Sequence, residues 1–202
     1  MKTTILIALS FVFLGINDQS HTEEIQAFQQ ELNDSYKDKE KTPLSKKNRR
    51  KFKKHPFFPI NADYKVKATF ERAKGIEVIE FPTSTDRMAT YVKYGVATFS
   101  LDGEDLSLNI YQSPDVSKME GYEDYLFLPF KDATNGKESY GGGRYMDLRL
   151  GDIEGETITL DFNKAYAPYC AYSGNFSCPV PPRDNHLMVP IKAGVMHLEM
   201  PH

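Results

Sequence analysis

Eight residues in the C-terminal third of the chain have side chains suited to holding a small ligand. Asp, Asn and Tyr accept or donate hydrogen bonds, and Arg binds a carboxylate or phosphate through two parallel hydrogen bonds. Such groups combined with aromatic walls are typical of small-molecule sites. The predicted site for a small polar or anionic ligand consists of Arg144, Tyr145, Asp147, Asp161, Asn163, Tyr166, Asn185 and His186.

Spacing along the chain predicts which of these side chains share a face. Successive side chains of a strand point to opposite faces. On one strand, Arg144 and Asp147 would therefore not pair, whereas Tyr145 and Asp147 would lie on the same face. Asp161 and Asn163 are two positions apart and can together bind a hard cation or a sugar-like ligand. We favour a structural alternative, an Asx turn at the end of a strand.

A second set of side chains suggests an enzyme instead of a binding protein. Carboxylates and a histidine can act as acid–base groups or metal ligands in a hydrolase-like or metal-assisted reaction. The chain lacks the H-E-x-x-H and G-x-S-x-G motifs, and residues 141–143 (Gly-Gly-Gly) lack the G-K-[ST] of a phosphate loop. No metal or cofactor is expected, no catalytic residue is assigned, and enzymatic activity stays an open alternative. The set is Asp147, Asp161, Asp184 and His186.

The cysteine and histidine positions favour structural roles. Cys170 and Cys178 are the only cysteines. In an exported protein such a pair indicates an intramolecular disulfide, which would stabilise this small loop by about 2–3 kcal/mol. The spacing is wider than the C-x-x-C of redox enzymes, and His186 alone does not complete a metal site. We expect His21 and His55 to be exposed.

One run of seven cations dominates the charge pattern. The net charge of the whole chain is −3, so the run forms a basic patch on an acidic protein. Most charge runs are solvated faces, and the functional alternative is docking on an anionic surface of the cell envelope. No nucleic-acid-binding motif is present, so nucleic acid is not expected as a partner. The cations are Lys46, Lys47, Arg49, Arg50, Lys51, Lys53 and Lys54.

Residues 1–20 have the pattern of a signal peptide. Lys2 precedes an apolar run from Ile5 to Gly15, and polar residues follow. The run is too short to span a bilayer as a helix. No cysteine follows it as a lipid-attachment site. We therefore expect an exported protein, periplasmic or secreted, that does not span the membrane.

The rest of the sequence divides into two parts. Residues 21–54 form a helical and basic segment, because Ile25, Phe28, Leu32 and Tyr36 recur at helical spacing. This spacing predicts one helix over residues 22–38, and Ser45 is placed to begin a second, short one. Residues 55–202 are predicted to form a single β-rich domain.

Alternating and apolar segments predict about eight strands in that domain. Asp102-Gly103 and Asn135-Gly136 are turn signals, and Gly95 predicts a bulge or bend. No long helix separates the strands, which disfavours a parallel sheet. The expected fold is mainly β, an antiparallel β-barrel or β-sandwich preceded by one or two short N-terminal helices. The predicted strands cover 64–70, 76–81, 89–101, 106–111, 125–130, 144–150, 157–162 and 187–192.

Several long motifs resemble a known bacterial family. These are YLFLPFKDATNG (125–136), YGGGRYMD (140–147), DFNKAYAPYCAYSGNFSCPVPP (161–182) and NHLMVPIKAG (185–194). The chain resembles the domain of unknown function 1684 family over about residues 40–195, which implies an exported protein or lipoprotein with no established activity. This chain has Ala167 where the family usually has Asn, and Asp184 and Val195 where it usually has Glu. The loss of an acid at Val195 makes an enzyme less favoured.

Three functions remain, in order of preference. The first is a noncatalytic module that binds a small ligand in an aromatic and polar pocket. The second is the enzyme described above. The third is an envelope protein that docks through the basic run.

Overall fold

An eight-stranded antiparallel sheet forms the body of the protein. The computed structural model describes the backbone of residues 10–200 and the side chains of residues 19–200. The first part of the predicted signal peptide, residues 1–9, lies outside the described residues, as does His202. The strands are β1 (Lys65–Arg72), β2 (Val78–Pro82), β3 (Met88–Leu101), β4 (Glu104–Gln112), β5 (Tyr125–Phe130), β6 (Arg144–Arg149), β7 (Ile153–Glu154) and β8 (Thr157–Asp161).

The strand order is β6-β5-β4-β3-β1-β8-β7, and β2 pairs with β3. Every named pairing is antiparallel, so the predicted mainly β, antiparallel fold is confirmed. The two end strands of this order, β6 and β7, do not pair with each other, so the sheet is not closed. Barrel or sandwich therefore describes it only loosely.

The long strand β3 and its hairpin with β4 follow local sequence signals. The pairing of β3 with β4 shifts register between Lys93 and Gly95, which confirms the predicted bulge. A Cβ atom at Gly95 would lie 2.5 Å from the ring of Phe70, so only glycine fits. Asp102 and Gly103 have φ of 53° and 82°, the left-handed pair that a two-residue hairpin turn requires.

The predicted strand over residues 187–192 is wrong. Leu187 and Ile191 are buried, but the segment forms no strand. Its backbone is bound elsewhere: the N–H of Leu187 donates to Lys131 O at 2.8 Å, and the N–H of Ile191 donates to the Asp132 carboxylate at 3.1 Å. Alternating apolar residues correctly predict that these side chains are buried. They do not ensure that the segment pairs with a neighbouring strand, and here it does not.

Two helices precede the sheet, α1 (Ser10–Lys37) and α2 (Lys46–Lys51). The predicted end of α1 is confirmed within one residue, but the helix extends N-terminally beyond the predicted start at Thr22. Ser45 caps α2 by accepting a hydrogen bond from the Asn48 N–H, as expected. In the described part of the chain, neither helix is long and apolar enough to cross a bilayer.

Helix α1 packs on the β-rich domain through its apolar stripe and three polar contacts. Ile25 and Tyr36 are fully buried. His21 Nε2 lies 2.7 Å from Asp161 Oδ2, and Glu24 binds Lys164 at 2.5 Å and Lys65 at 3.7 Å. The hydrogen bond from Lys164 lowers the pKa of Glu24. The division into a helical segment and a β-rich domain stays a prediction.

The expected exposure of His21 and His55 is wrong. His55 is 1% exposed and lies against Tyr36, with ring centroids 4.3 Å apart. Asn33 Oδ1 accepts hydrogen bonds from the His55 backbone N–H at 2.7 Å and from Nδ1 at 3.1 Å. Nδ1 therefore carries the proton, and Nε2 is buried with no hydrogen-bond partner among the residues that the structure describes. Burial lowers the pKa of His55 to about 4.

This burial predicts a loss of stability in mild acid. The unfolded chain takes up a proton at His55 near pH 6.5, whereas the folded chain does so only near pH 4. The free energy of unfolding should therefore fall by about 3 kcal/mol as the pH drops from 7 to 4. Urea unfolding of the wild type and of His55→Phe at several pH values measures this contribution.

Between pH 7 and pH 4, the His55→Phe variant should lose less free energy of unfolding than the wild type. His186→Gln removes an exposed histidine and serves as the control, with a pH dependence like that of the wild type. Equal losses of unfolding free energy in the wild type and in His55→Phe would show that His55 does not cause this pH dependence.

Candidate functional site

Asp147 on β6 is bound by two tyrosines from separate parts of the chain. Tyr125 Oη donates to Asp147 Oδ1 at 2.8 Å, and Tyr166 Oη donates to the same oxygen at 2.5 Å. Tyr125 begins β5, which pairs with β6 so that Phe127 lies opposite Asp147. Tyr166 is aligned by two backbone hydrogen bonds with Tyr145, at 2.9 and 3.0 Å. Strand pairing and one isolated bridge thus assemble this group.

The electrostatics keep both phenols in the donating form. Burial and then the charge of Asp147 raise the pKa of Tyr166 well above its usual value. The same two causes raise the pKa of Tyr125. Both hydroxyls donate to Oδ1, and Oδ2 of Asp147 accepts no hydrogen bond within the described chain. Among the described residues, no Lys, Arg or His forms an ion pair with Asp147.

Asp147 borders a mostly apolar cavity of about 380 Å³, here called the Asp147 cavity. Helix α1 supplies one wall with two half-buried apolar side chains. Strand β6 and the loop after β8 supply the others, and Tyr169 at 40% exposure lies at the surface. The cavity therefore combines one carboxylate with aromatic walls. Its lining is Phe28, Leu32, Tyr145, Asp147, Tyr166, Pro168, Tyr169 and Cys178.

A second cavity, of about 320 Å³, borders Asp147 and is lined mostly by charged side chains. Asp161 contributes to it, together with the Glu24–Lys164 ion pair that joins α1 to the β-rich domain. Within residues 10–200, no group of three or more His, Cys, Asp or Glu side chains is placed to hold a metal ion. Glu24 pairs with Lys65 and Lys164, whereas the other four charged residues of this lining form no ion pair with either lysine.

Arg144 lies in the core and not at either cavity. It is fully buried and donates to Asp132 Oδ2 at 2.8 Å, to Ile191 O at 2.7 Å and to Ala193 O. Asp132 also accepts hydrogen bonds from the Thr134 and Ile191 N–H groups. Arg144 and Tyr145 are neighbours on β6, so they point to opposite faces, as the predicted spacing requires.

Asn163 and Asn185 are buried and bind the backbone. Asp161 Oδ1 accepts from the N–H and Nδ2 of Asn163 at 3.1 and 2.9 Å, which is the Asx turn favoured above. Asn163 also bonds both backbone groups of Asn61. Asn185 bonds the N–H and O of Asn109 and the O of Pro129. Their ligand-binding role stays a prediction, and their hydrogen bonds here hold loops to the sheet.

His186 and Asp184 lie outside both cavities that Asp147 borders. Each is exposed, and His186 Nε2 lies 3.2 Å from Pro181 O. The structure therefore brings together Tyr145, Asp147 and Tyr166 in the Asp147 cavity, and Asp147 and Asp161 in the charged one. It does not bring all four predicted acid–base groups together.

Reasoning from the sequence missed four residues that line the Asp147 cavity or bind Asp147. Phe28 and Leu32 belong to the predicted helix stripe, but nothing in the sequence says where α1 docks. Tyr125 reaches Asp147 only through the β5–β6 register, and Tyr169 begins a short 3₁₀ helix, Tyr169–Ala171, in the segment after β8. The motif YLFLPF, which begins with Tyr125, is the one local signal that could have drawn attention to this strand.

Comparison with known proteins gives the family. The family model described as "Protein of unknown function (DUF1684)" matches residues 50–196. The chain belongs to the DUF1684 family. The suspected resemblance is thereby confirmed. The match includes Asp147 and its two tyrosines but not Phe28 and Leu32, so α1 adds a wall that lies outside the matched DUF1684 residues.

A solved structure supports the DUF1684 fold. An uncharacterized protein of Haloarcula marismortui, determined by solution NMR, is 36% identical to this chain, with a TM-score of 0.69. The alignment covers 89% of this chain and 96% of that one. The search of curated proteins found no match.

Ala167 and Val195 lie in the apolar cluster that joins α1 to the β-rich domain. Val195 is 1% exposed and pairs with Phe57 in an isolated bridge, and Ala167 is also buried. Asp184 is exposed. In this chain positions 167 and 195 therefore contribute packing and not charge.

Cys170 and Cys178 are neighbours in space. The Cys170 N–H donates to Cys178 Sγ at 3.3 Å, and the two side chains are separate thiols. A hydrogen bond from the Cys178 thiol lowers the pKa of Cys170 to about 6, whereas the pKa of Cys178 is raised. The predicted disulfide stays a prediction.

The basic run surrounds and includes α2. All of its cations are exposed except the half-buried Arg49, and within the described chain none of the seven forms an ion pair. Leu44 and Phe52 on either side are buried and fix this segment to the protein. Docking of the run on an anionic surface stays a prediction.

Removing the partner of Arg144 should destabilise the fold strongly. Asp132→Ala leaves a fully buried guanidinium without its counter-charge, so the free energy of unfolding should fall by about 3–5 kcal/mol. Asp124→Ala breaks the exposed Arg149–Asp124 pair and should lower it by less than about 1 kcal/mol. Denaturant unfolding measures both. Similar losses in the two variants would show that burial of the pair is unimportant.

The adjacent thiols should form one intramolecular disulfide under oxidising conditions. Intact-mass measurement of oxidised protein should show the loss of two hydrogens without dimers. At pH 7 the reduced protein should be alkylated at Cys170 before Cys178, because its thiolate predominates. Cys178→Ala should slow this alkylation, since it removes the hydrogen bond that lowers the pKa of Cys170. Alkylation of both cysteines at the same rate would contradict the lower pKa of Cys170.

Proposed function

We propose that this DUF1684 protein is an exported, noncatalytic module that binds a small ligand in the Asp147 cavity. The observation that carries the proposal is the hydrogen bonding of Asp147 and its position at the cavity. Two tyrosines hold one of its oxygens, the other oxygen accepts no hydrogen bond within the described chain, and the residue lines an apolar cavity. A mostly apolar pocket with a few oriented polar groups is the usual form of a binding site.

Binding is favoured over catalysis by the placement of the acid–base candidates. A general acid–base pair must reach the same reacting atoms. Asp184 and His186 are outside the cavities that Asp147 borders, and Asp161 is engaged by His21 and Asn163. Asp147 is the one carboxylate among the described residues that line the apolar cavity, and Asp161 shares only the charged cavity with it.

Export is supported by the N-terminal sequence and agrees with the packing of α1. The apolar run after Lys2 has the pattern of a signal peptide. The hydrogen bonds and ion pairs that join α1 to the β-rich domain begin at His21. Removal of residues 1–20 would leave these contacts in place, including the wall that Phe28 and Leu32 add to the cavity.

NMR titration tests the binding function. The full isotope-labelled chain is titrated with three probes of one shape: choline, its uncharged isostere 3,3-dimethylbutan-1-ol, and 3,3-dimethylbutanoate. Saturable shifts of the Asp147, Tyr166 and Tyr169 amide signals by at least one probe are expected. A Leu32→Trp variant, which places a larger side chain in the cavity wall, should weaken that binding.

A matched substitution outside the cavity provides the control. Leu106→Trp adds the same bulk at a partly buried site on β4 and should leave probe binding unchanged. No shift of the cavity amides with any of the three probes would overturn the proposal.

A further inference from the structure

We infer that the ligand of the Asp147 cavity is a small organic cation carrying an alkylammonium group. This inference rests on the proposed binding function and adds the charge class of the ligand. The sequence predicted a polar or anionic ligand because Arg144 was counted among the site residues. The structure removes that cation from the site and leaves a carboxylate.

Asp147 is a negative charge that forms no ion pair with a cation of the described chain. Its charge does interact with Arg149, whose pKa is raised first by a hydrogen bond with Asp124 and further by the charges of Asp124 and Asp147, but Arg149 is ion-paired with Asp124. Both tyrosine hydroxyls donate to Oδ1, so they orient the carboxylate but supply only neutral dipoles. Asp147 is exposed, lines the cavity and forms no ion pair among the described residues. A cationic ligand at Oδ2 would complete this group.

The cations near the site are committed elsewhere. The Arg144 guanidinium is bound to Asp132 in the core. Lys164 and Lys65, which line the neighbouring charged cavity, both pair with Glu24. An anionic ligand entering the Asp147 cavity would therefore meet a carboxylate, and none of the described residues that line this cavity is a cation. Electrostatics in this cavity select for positive charge.

The walls of the cavity suit an alkylated ammonium better than a metal ion. Four aromatic residues line it, and the negative faces of aromatic rings attract organic cations whose charge is spread over methyl groups. Metal ions instead require several oxygen, nitrogen or sulfur ligands. The cavity provides one carboxylate and mainly carbon surface. The four aromatic residues are Phe28, Tyr145, Tyr166 and Tyr169.

The volume favours a small solute or head group. About 380 Å³ is enough for a trimethylammonium group with a short chain and falls at the lower end of small-molecule sites. Tyr169 at the opening is partly exposed, so the ligand can enter without unfolding the surrounding loop. A free solute and a lipid head group offer the same ammonium chemistry.

The test compares the charged probe with its uncharged isostere. In the wild type, choline should bind at least about tenfold more tightly than 3,3-dimethylbutan-1-ol, and 3,3-dimethylbutanoate should bind least. Asp147→Asn keeps an oxygen that accepts from both tyrosines but removes the charge, and should bring the affinities for choline and the alcohol together. Asp102→Asn removes a charge at the β3–β4 turn and should retain the wild-type preference.

A second variant keeps the test valid if Asp147→Asn does not fold. Tyr169→Leu replaces a ring at the opening, and it should weaken choline binding several-fold while affecting the alcohol less. If the alcohol or 3,3-dimethylbutanoate binds as tightly as choline at the cavity, the inference of a cation is overturned and the binding function stands. If no probe shifts the cavity amides, both are overturned.

Vesicles distinguish the source of the ammonium group. Cosedimentation with phosphatidylcholine vesicles that excess choline abolishes would assign a lipid head group. Choline binding without cosedimentation would assign a dissolved solute. Each of these results supports an alkylammonium ligand.

Discussion

The buried ion pair between Arg144 and Asp132 connects the parts of this fold that have no regular hydrogen-bonding ladder. Its guanidinium binds the carbonyl groups of Ile191 and Ala193, and its carboxylate binds the N–H groups of Thr134 and Ile191. The C-terminal segment is thus held to β6 by charged side chains in place of strand pairing. Because neither charge reaches water, each is stable only while the other is present.

The same strand carries the candidate site on its other face. Alternation along β6 turns Arg144 into the core and Tyr145 and Asp147 towards the cavity. The position of Asp147 therefore depends on the same strand that the ion pair secures. Tyr125 and Tyr166 then orient the carboxylate from a neighbouring strand and from a loop. A ligand would bind to a rigid group that is oriented before the ligand arrives, which lowers the entropic cost of binding.

Helix α1 serves both packing and the cavity. Its buried residues support the apolar cluster around His55, where a neutral imidazole is enclosed by aromatic rings. One turn away from those contacts, Phe28 and Leu32 form a wall of the Asp147 cavity. The helix lies outside the matched DUF1684 residues, so this chain completes its cavity with a segment that precedes the matched region.

Local chemistry in the sequence determined the mainly β fold, the Gly95 bulge, the Asp102-Gly103 turn, the short helix after Ser45 and the shared face of Tyr145 and Asp147. These features depend on alternation, capping and backbone freedom within a few residues. Only the tertiary structure decided that Arg144 is a core residue, that residues 187–192 form no strand, and that Tyr125 and Tyr166 meet at Asp147. Those outcomes depend on strand register and on partners far apart in the chain. The charge of the cavity follows from them, because a single sequence does not show which cations are already paired.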